Sequence, residues 1–333
     1  MTAPLWLWLA FSAFLVGMLL LDLFVLHRDA HEVSLREATA LSAIWIALAL
    51  LFAGGMFLFA GPTEGTQFLT GYVIEKSLSI DNVFVFALIL GTFAVPKADQ
   101  ARVLLWGIVG ALVLRAVFIF VGGELLERYD WIVYLFAAIL IFTGIRLASG
   151  KHEEIHPERN PAVRAMRRLV PMTAGYRDER LWVRRSSLAD GEIPQRRALL
   201  GVWVGTPMLA VLAAVMTTDV VFALDSIPAI FAITSSTFIV FTANAFALMG
   251  LRALYFLLAG AIERFVYLNI GLAFTLIFVG AKFVYSDLAG KVPVLISLTV
   301  ISGAVGLSIA ASLWKTRAMT GDETSRPGKG SKE

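Results

Sequence analysis

The chain contains no cysteine, so disulfides, thiolate metal sites and cysteine nucleophiles are excluded by inventory. Histidine is scarce too. His27, His31, His152 and His156 all fall in polar connections, which removes a histidine-rich centre at membrane depth and leaves oxygen as the ligand for any metal held there. Charged residues make up only 16% of the chain against 58% hydrophobic, and the mean hydropathy is +0.78. No soluble core needs that much apolar surface, so composition places the chain among polytopic membrane proteins. No phosphate-binding loop, HExxH or serine-triad pattern is present, which gives no basis for ATP-driven pumping or hydrolysis, and no enzyme activity is expected. The net charge of +3 does not point to nucleic acid, because the basic residues are concentrated in loops beside hydrophobic spans.

A spanning helix needs roughly 20 mostly apolar residues. On that criterion nine spans are expected, near residues 5–26, 38–60, 67–94, 102–123, 131–149, 199–233, 237–259, 265–285 and 292–314. The fold class is all-α. The first span lacks a basic leader and a small-residue cleavage site, and is read as a retained helix. With the N-terminus outside, the inner connections and tail hold twenty-one basic residues and the outer ones only Arg128 and Lys291. That bias sets the orientation and puts the C-terminus in the cytoplasm.

Residues 150–198 form a basic cytoplasmic insertion, with a short amphipathic helix expected over 160–169 and a hairpin over 181–197 around Asp190-Gly191. Its positive charge follows the positive-inside rule, although a basic face could also touch anionic lipid. Residues 315–333 have almost no apolar content and are expected to be disordered.

Two stretches break the hydrophobic pattern. Glu75-Lys76-Ser77-Leu78-Ser79-Ile80-Asp81-Asn82 lies in the third span and Asp219-Val220-Val221-Phe222-Ala223-Leu224-Asp225-Ser226 in the sixth. Each puts one acid six residues before another, with a small polar residue straight after. Carboxylates in hydrocarbon cost about 2.5 kcal/mol or more each, which marks the four acids as a candidate site.

The surrounding residues repeat as well. Leu114-Arg115-Ala116 recurs as Leu251-Arg252-Ala253, Glu127-Arg128 as Glu263-Arg264, and Leu140-Ile141-Phe142-Thr143-Gly144 as Leu276-Ile277-Phe278-Val279-Gly280. Spans three to five are thus expected to repeat as spans six to eight with opposite topology, an arrangement that places substrate near the midplane. The resulting divisions are two N-terminal helices (1–66), a first repeat (67–149), the loop (150–198), a second repeat (199–285), a last helix (286–314) and the tail (315–333).

Both motif spans look too long. Residues 199–233 as one straight helix would reach about 50 Å against a hydrocarbon core of roughly 30 Å. Pro228 follows the second acidic pair, and an i, i+6 pair on a regular helix points about 120° apart. Local unwinding is therefore expected, turning both acids of a motif toward one point and freeing carbonyls as ligands.

The candidate metal ligands are Glu75, Asp81, Asp219 and Asp225, with Asn82 and Ser226 as neutral oxygen donors. Such a set suits manganese, magnesium or calcium and not copper or zinc. The competing reading is an internal ion-pair network, since Lys76, Arg115 and Arg252 also lie at membrane depth. With Asp22 counted, five acids face three bases, so protons or a cation must supply the balance. Proton-for-metal exchange is the natural hypothesis. Asp22 lies near an inner boundary, and Asn244 either lines the path or joins helices. The Gly54-Gly55 and Gly122-Gly123 pairs are expected to allow close helix packing.

The Glu75–Asn82 stretch and Phe222-Ala223-Leu224-Asp225-Ser226-Ile227-Pro228-Ala229 resemble the two signatures of the TerC family. His27-Arg28, His31-Glu32-Val33-Ser34-Leu35-Arg36-Glu37 and Gly250-Leu251-Arg252-Ala253-Leu254-Tyr255-Phe256 are similar to that family's pattern as well. The resemblance implies an inner-membrane protein exporting manganese(II) as substrate, with no resident cofactor and with Glu75, Asp81, Asp219 and Asp225 as the metal-binding group. It also implies a second class of role, a scaffold or assembly factor beside the protein-translocation machinery.

Overall fold

A computed structural model describes residues 3–22, 34–149, 163, 166, 170–173, 175–176, 180–185, 203–258, 267–290 and 292–324, without the side chains of Ile80, Asp81, Phe84, Asn269, Val294 and residues 316–324. The described chain is almost entirely helical: α1 Leu5–Leu21, α2 Leu35–Gly55, α3 Pro62–Thr92, α4 Lys97–Arg128, α5 Ile132–Ala148, α6 Pro207–Phe231, α7 Thr237–Met249, α8 Leu251–Leu258, α9 Leu268–Leu288 and α10 Val294–Thr324. Six segments are long and apolar enough to cross a membrane, namely Leu35–Ala60, Lys97–Arg128, Pro207–Phe231, Thr237–Leu257, Ile270–Leu288 and Leu295–Lys315. Of the other three expected spans, α1 and α5 are apolar but 17 residues long, and α3 has the length but carries Glu64, Glu75, Lys76 and Asp81.

Local chemistry sets the helix ends. Ser34 caps α2 by accepting from the Glu37 amide at 3.3 Å, with Glu37 itself in the acidic first turn. Past Gly55 the helix widens into a π-helical turn, Met56–Ala60, and stops at Gly61, whose φ of 117° few other residues tolerate. Pro62 then opens α3 and Pro207 opens α6, at positions where no intrahelical amide is needed.

Several expectations are corrected. α3 runs unbroken through both of its acids for 31 residues, about 46 Å. α6 likewise continues through Pro228, so neither motif is unwound. The excess length of the sixth span disappears differently: Trp203–Gly205 is a strand (β2), and the helix starts only at Pro207. β2 pairs antiparallel with β1, Trp182–Arg184, in the register Trp182↔Gly205, Val183↔Val204 and Arg184↔Trp203. The described partner of β1 is therefore 203–205, and the pairing buries Val183 and Val204 on one side, while residues 186–197 of the expected hairpin lie outside the described residues. Asp190-Gly191 and the helix expected over 160–169 lie outside the described residues, apart from Val163 and Met166. At the other end, α10 runs to Thr324, ten residues past the expected span, because good helix formers such as Lys315, Arg317 and Ala318 let it propagate. Residues 325–333 are outside the described chain.

The one interruption in a spanning segment is at Gly250, between α7 and α8. A Cβ there would stand 2.7 Å from Lys76 Nζ and 3.2 Å from Trp45 Cβ. The absent side chain lets the Lys76 ammonium lie against the break, 3.5 Å from the Ala247 carbonyl. Gly54 and Gly55, in contrast, meet nothing within 4 Å, so they do not mediate close packing, whereas a Cβ on Gly123 would stand 2.9 Å from Thr237 Oγ1.

α7 is the centre of the bundle, with nearly every side chain buried. α1, α2 and α3 reach it through an aromatic cluster in which Trp8, Phe11, Phe52 and Phe68 meet Phe238, Phe241 and Phe246 edge-on or tilted. Around that centre α3 packs on α7 and α6, α4 on α6 and α7, and α5 along α9. The α5–α9 contact is reciprocal. A Cβ on Gly144 would meet Ile277 Cγ1 and the Ala273 carbonyl at 2.6 and 2.9 Å, and one on Gly280 would meet Ile141 Cγ1 and the Ala137 carbonyl at 2.8 and 3.0 Å.

Candidate functional site

The centre of the site is Arg115, in the C-terminal half of α4 and 1% exposed. A guanidinium there carries five N–H groups that no lipid can satisfy, so the side chains around it must supply oxygen. They do so from three helices. Nε and Nη2 donate to the two carboxylate oxygens of Asp219 on α6, at 3.0 and 2.9 Å. This is a two-point fork, the strongest geometry open to an arginine–carboxylate pair. Nη1 donates to Glu75 Oε1 on α3, to Asn244 Oδ1 on α7 at 2.6 Å and to Ser226 Oγ on α6 at 3.2 Å.

Glu75 and Asp219 are fully buried. The first acid of each motif thus meets the first acid of the other, across Arg115, and the two acids of the second motif do not converge. The regular helix explains this. With α6 unbroken, Asp219 and Asp225 point to different neighbours, and Asp225 accepts instead from Thr143 Oγ1 on α5 at 2.9 Å. Asp81 lies on α3 with its side chain outside the described atoms, and Asn82 is buried.

Five oxygens accept from Arg115, and a sixth, Glu75 Oε2, is buried without any donor. The set is richer in acceptors than one guanidinium can satisfy, and six oxygens from carboxylate, amide and hydroxyl groups match the donor inventory of a hard divalent cation. Among the described residues no three acidic side chains come close enough to hold a metal together. Only two acids, with Asn244 and Ser226, are available at this point.

Two other buried basic residues find partners elsewhere. Arg252 of α8 pairs with the buried Asp22 that ends α1, which puts the Asp22 side chain inside the protein. Lys282 Nζ donates to the Ala232 carbonyl at the end of α6, at 3.3 Å. Two members carried more than the sequence assigned them. Asn244, expected as a support residue, bonds Arg115 directly. Thr143 was missed, although in the five-residue match of the two repeats it is the single difference, with Val279 at the equivalent place.

A helical, membrane-spanning bundle with a buried centre of two acids and an arginine defines an integral membrane protein with an intramembrane polar site. The profile described as "Integral membrane protein TerC family" matches residues 60–320, and the chain belongs to that family. It is 46% identical over 311 residues to an "Uncharacterized membrane protein STKORF319" of Myxococcus xanthus, covering 93% of each chain. It is 41% identical over 317 residues to the "Putative membrane-bound redox modulator Alx" of Escherichia coli K12, covering 92% of this chain and 94% of that one. An "Uncharacterized membrane protein" of Rickettsia bellii is 34% identical over 307 residues, covering 92% and 96%. No solved structure matches.

Proposed function

We propose that this protein is a secondary transporter that exports a divalent cation, manganese(II) above all, from the cytoplasm through the polar centre at Arg115. The carrying observation is the meeting of Glu75 and Asp219 from two helices around one guanidinium, with Glu75 Oε2 left buried and undonated. A buried carboxylate oxygen without a partner costs free energy, and such a group persists where it serves a ligand. Glu75, Asp219, Asn244 and Ser226 would hold the ion. Asp81, Asn82 and Asp225 line the same two motif helices and belong to its route in this reading.

Reciprocal packing supports nine spans with an inverted repeat. The relation that takes Ala137, Ile141 and Gly144 to Ala273, Ile277 and Gly280 also exchanges the two sides of the α5–α9 contact, as a two-fold relation between repeats requires. α3 on α7 and α4 on α6 are exchanged in the same way. In this reading the carrier works by alternating access in the inner membrane, with the N-terminus outside and the C-terminus in the cytoplasm, an orientation supported by the basic residues of the connections.

A second reading is a membrane scaffold or assembly partner, and the two-point Arg115–Asp219 bond favours it, since that pair neutralises one acid without any cargo. Redox modulation, the role named for the Alx relatives, would need chemistry other than thiols in a chain without cysteine.

The test is cellular manganese under a manganese load, in cells lacking their own exporters. The intact protein is compared with Glu75→Gln, Asp219→Asn and Asp225→Asn at matched membrane expression. Lowered manganese with the intact chain, abolished by Glu75→Gln or Asp219→Asn, is the expected result. Equal behaviour of all the chains, folded and inserted, makes the polar centre a strut and leaves the scaffold reading.

A further inference from the structure

We propose that the Arg115 guanidinium is a tethered counter-cation that exchanges with the cargo, so that the empty carrier resets with one of its two negative charges offset by its own side chain. The proposal rests on the cation-transport reading and names how that site is regulated.

Position carries the first part of the argument. The guanidinium occupies the point at which oxygens from α3, α6 and α7 converge, and a bound cation would meet the same Glu75, Asp219, Asn244 and Ser226. Arg115 itself is rooted on α4. Its long side chain can leave the centre without moving any helix that supplies a ligand.

Charge carries the second. Glu75 and Asp219 bring two negative charges and Arg115 one positive. A divalent ion in place of the guanidinium brings the centre to zero. A centre holding neither would leave two bare carboxylates buried, the least favourable of the three states. The guanidinium-bound centre keeps one negative charge against two for the bare pair, so guanidinium-bound and cargo-bound forms are the two forms that cross the membrane.

The third part separates an exchangeable cation from a permanent strut. Nη1 has two hydrogens and faces three acceptors, and Glu75 Oε2 has no donor within hydrogen-bond distance among the described residues. A structural ion pair is stable when every lone pair is satisfied, and this one is not. Arg252, the counterpart of Arg115 in the sequence match, pairs with Asp22 away from the centre, so Arg115 is the guanidinium that meets Glu75 and Asp219.

The experiment uses the full chain in proteoliposomes with manganese(II) as probe, measuring net efflux into metal-free buffer and exchange of labelled for unlabelled manganese. Arg115→Gln is expected to lower the ratio of net efflux to exchange at least tenfold, because cargo still crosses in both directions but the empty form is trapped. Arg115→Lys keeps the charge, and both rates are expected to fall together with the ratio preserved. An unchanged ratio in Arg115→Gln, or the same collapse in Arg115→Lys, overturns the proposal. Loss of exchange together with net efflux in Arg115→Gln, in protein that elutes as the intact chain does, makes Arg115 a strut and also overturns it. Absence of manganese flux with the intact chain overturns the cation-transport reading itself and this inference with it.

Discussion

Gly144 of α5 and Gly280 of α9 each press against the other's helix at equivalent places, with an isoleucine side chain and a carbonyl oxygen within 3.0 Å of where a Cβ would stand. Backbone carbonyls cannot retreat as a flexible side chain can, so the helices must separate to admit even a methyl group. Gly144→Ala and Gly280→Ala are each expected to cost about 1–3 kcal/mol, the usual range for overpacking. The two losses should be similar. Thermal unfolding in detergent measures them, with Gly54→Ala as contrast, because a Cβ at Gly54 meets nothing within 4 Å and alanine there favours the helix.

Arg252 and Asp22 form a buried pair between α8 and the end of α1. Asp22→Asn removes the paired carboxylate of a buried cation and leaves Glu37 as a second acid acting on it, for an expected loss of about 3 kcal/mol, the low end for breaking a buried pair. The double substitution Asp22→Leu with Arg252→Met removes both charges and is expected to recover most of that loss. Non-additivity in unfolding temperature across the four proteins is the readout. Additive losses would show that the two residues act on stability separately.

The helical class and the acids were legible because hydrocarbon leaves so few alternatives. A run of apolar residues at this length reads as a helix, and Glu75, Asp219 and Arg115 stand out within it. How the acids combine was not legible. Six-residue spacing shows that Glu75 and Asp81 cannot share a face of a straight helix, but it does not say whether the helix bends or the partner lies elsewhere. Here α3 stays straight and Glu75 finds Asp219 through Arg115. Pro228 was a similar ambiguity, since proline inside a membrane helix is tolerated when neighbours accommodate the freed carbonyl. The strand at Trp203–Gly205 was hidden because its apolar residues merge with the helix that follows.

Gly250 and Lys76 are coupled by a close approach of Nζ to the position a Cβ would take. Gly250→Ala is expected to destabilise the protein by about 1–3 kcal/mol, as overpacking does. Part of that cost comes from Lys76 and part from Trp45, which stands 3.2 Å away. Adding Lys76→Ala should therefore recover a fraction of the stability and not all of it. A double-mutant cycle on unfolding in detergent reads the coupling, and strict additivity would mean that Lys76 yields without cost.

Thr143 donates to Asp225, and its equivalent in the second repeat is Val279. The hydroxyl therefore gives the second motif's outer acid a partner that the matching position does not offer. Thr143→Val keeps the shape and removes the donor, at an expected cost of about 1 kcal/mol, a modest figure because Asp225 retains some exposure. If Asp225 lies on the cation's route, orienting its carboxylate matters more than stabilising the fold. Manganese export in loaded cells should then fall severalfold in Thr143→Val while the unfolding temperature moves by only a few degrees. Val279→Thr should leave export unchanged, with a stability cost of its own because Val279 is fully buried among apolar side chains. A Thr143→Val protein that exports as well as the intact chain would remove Asp225 from the route and confine the cargo to the centre held by Glu75 and Asp219.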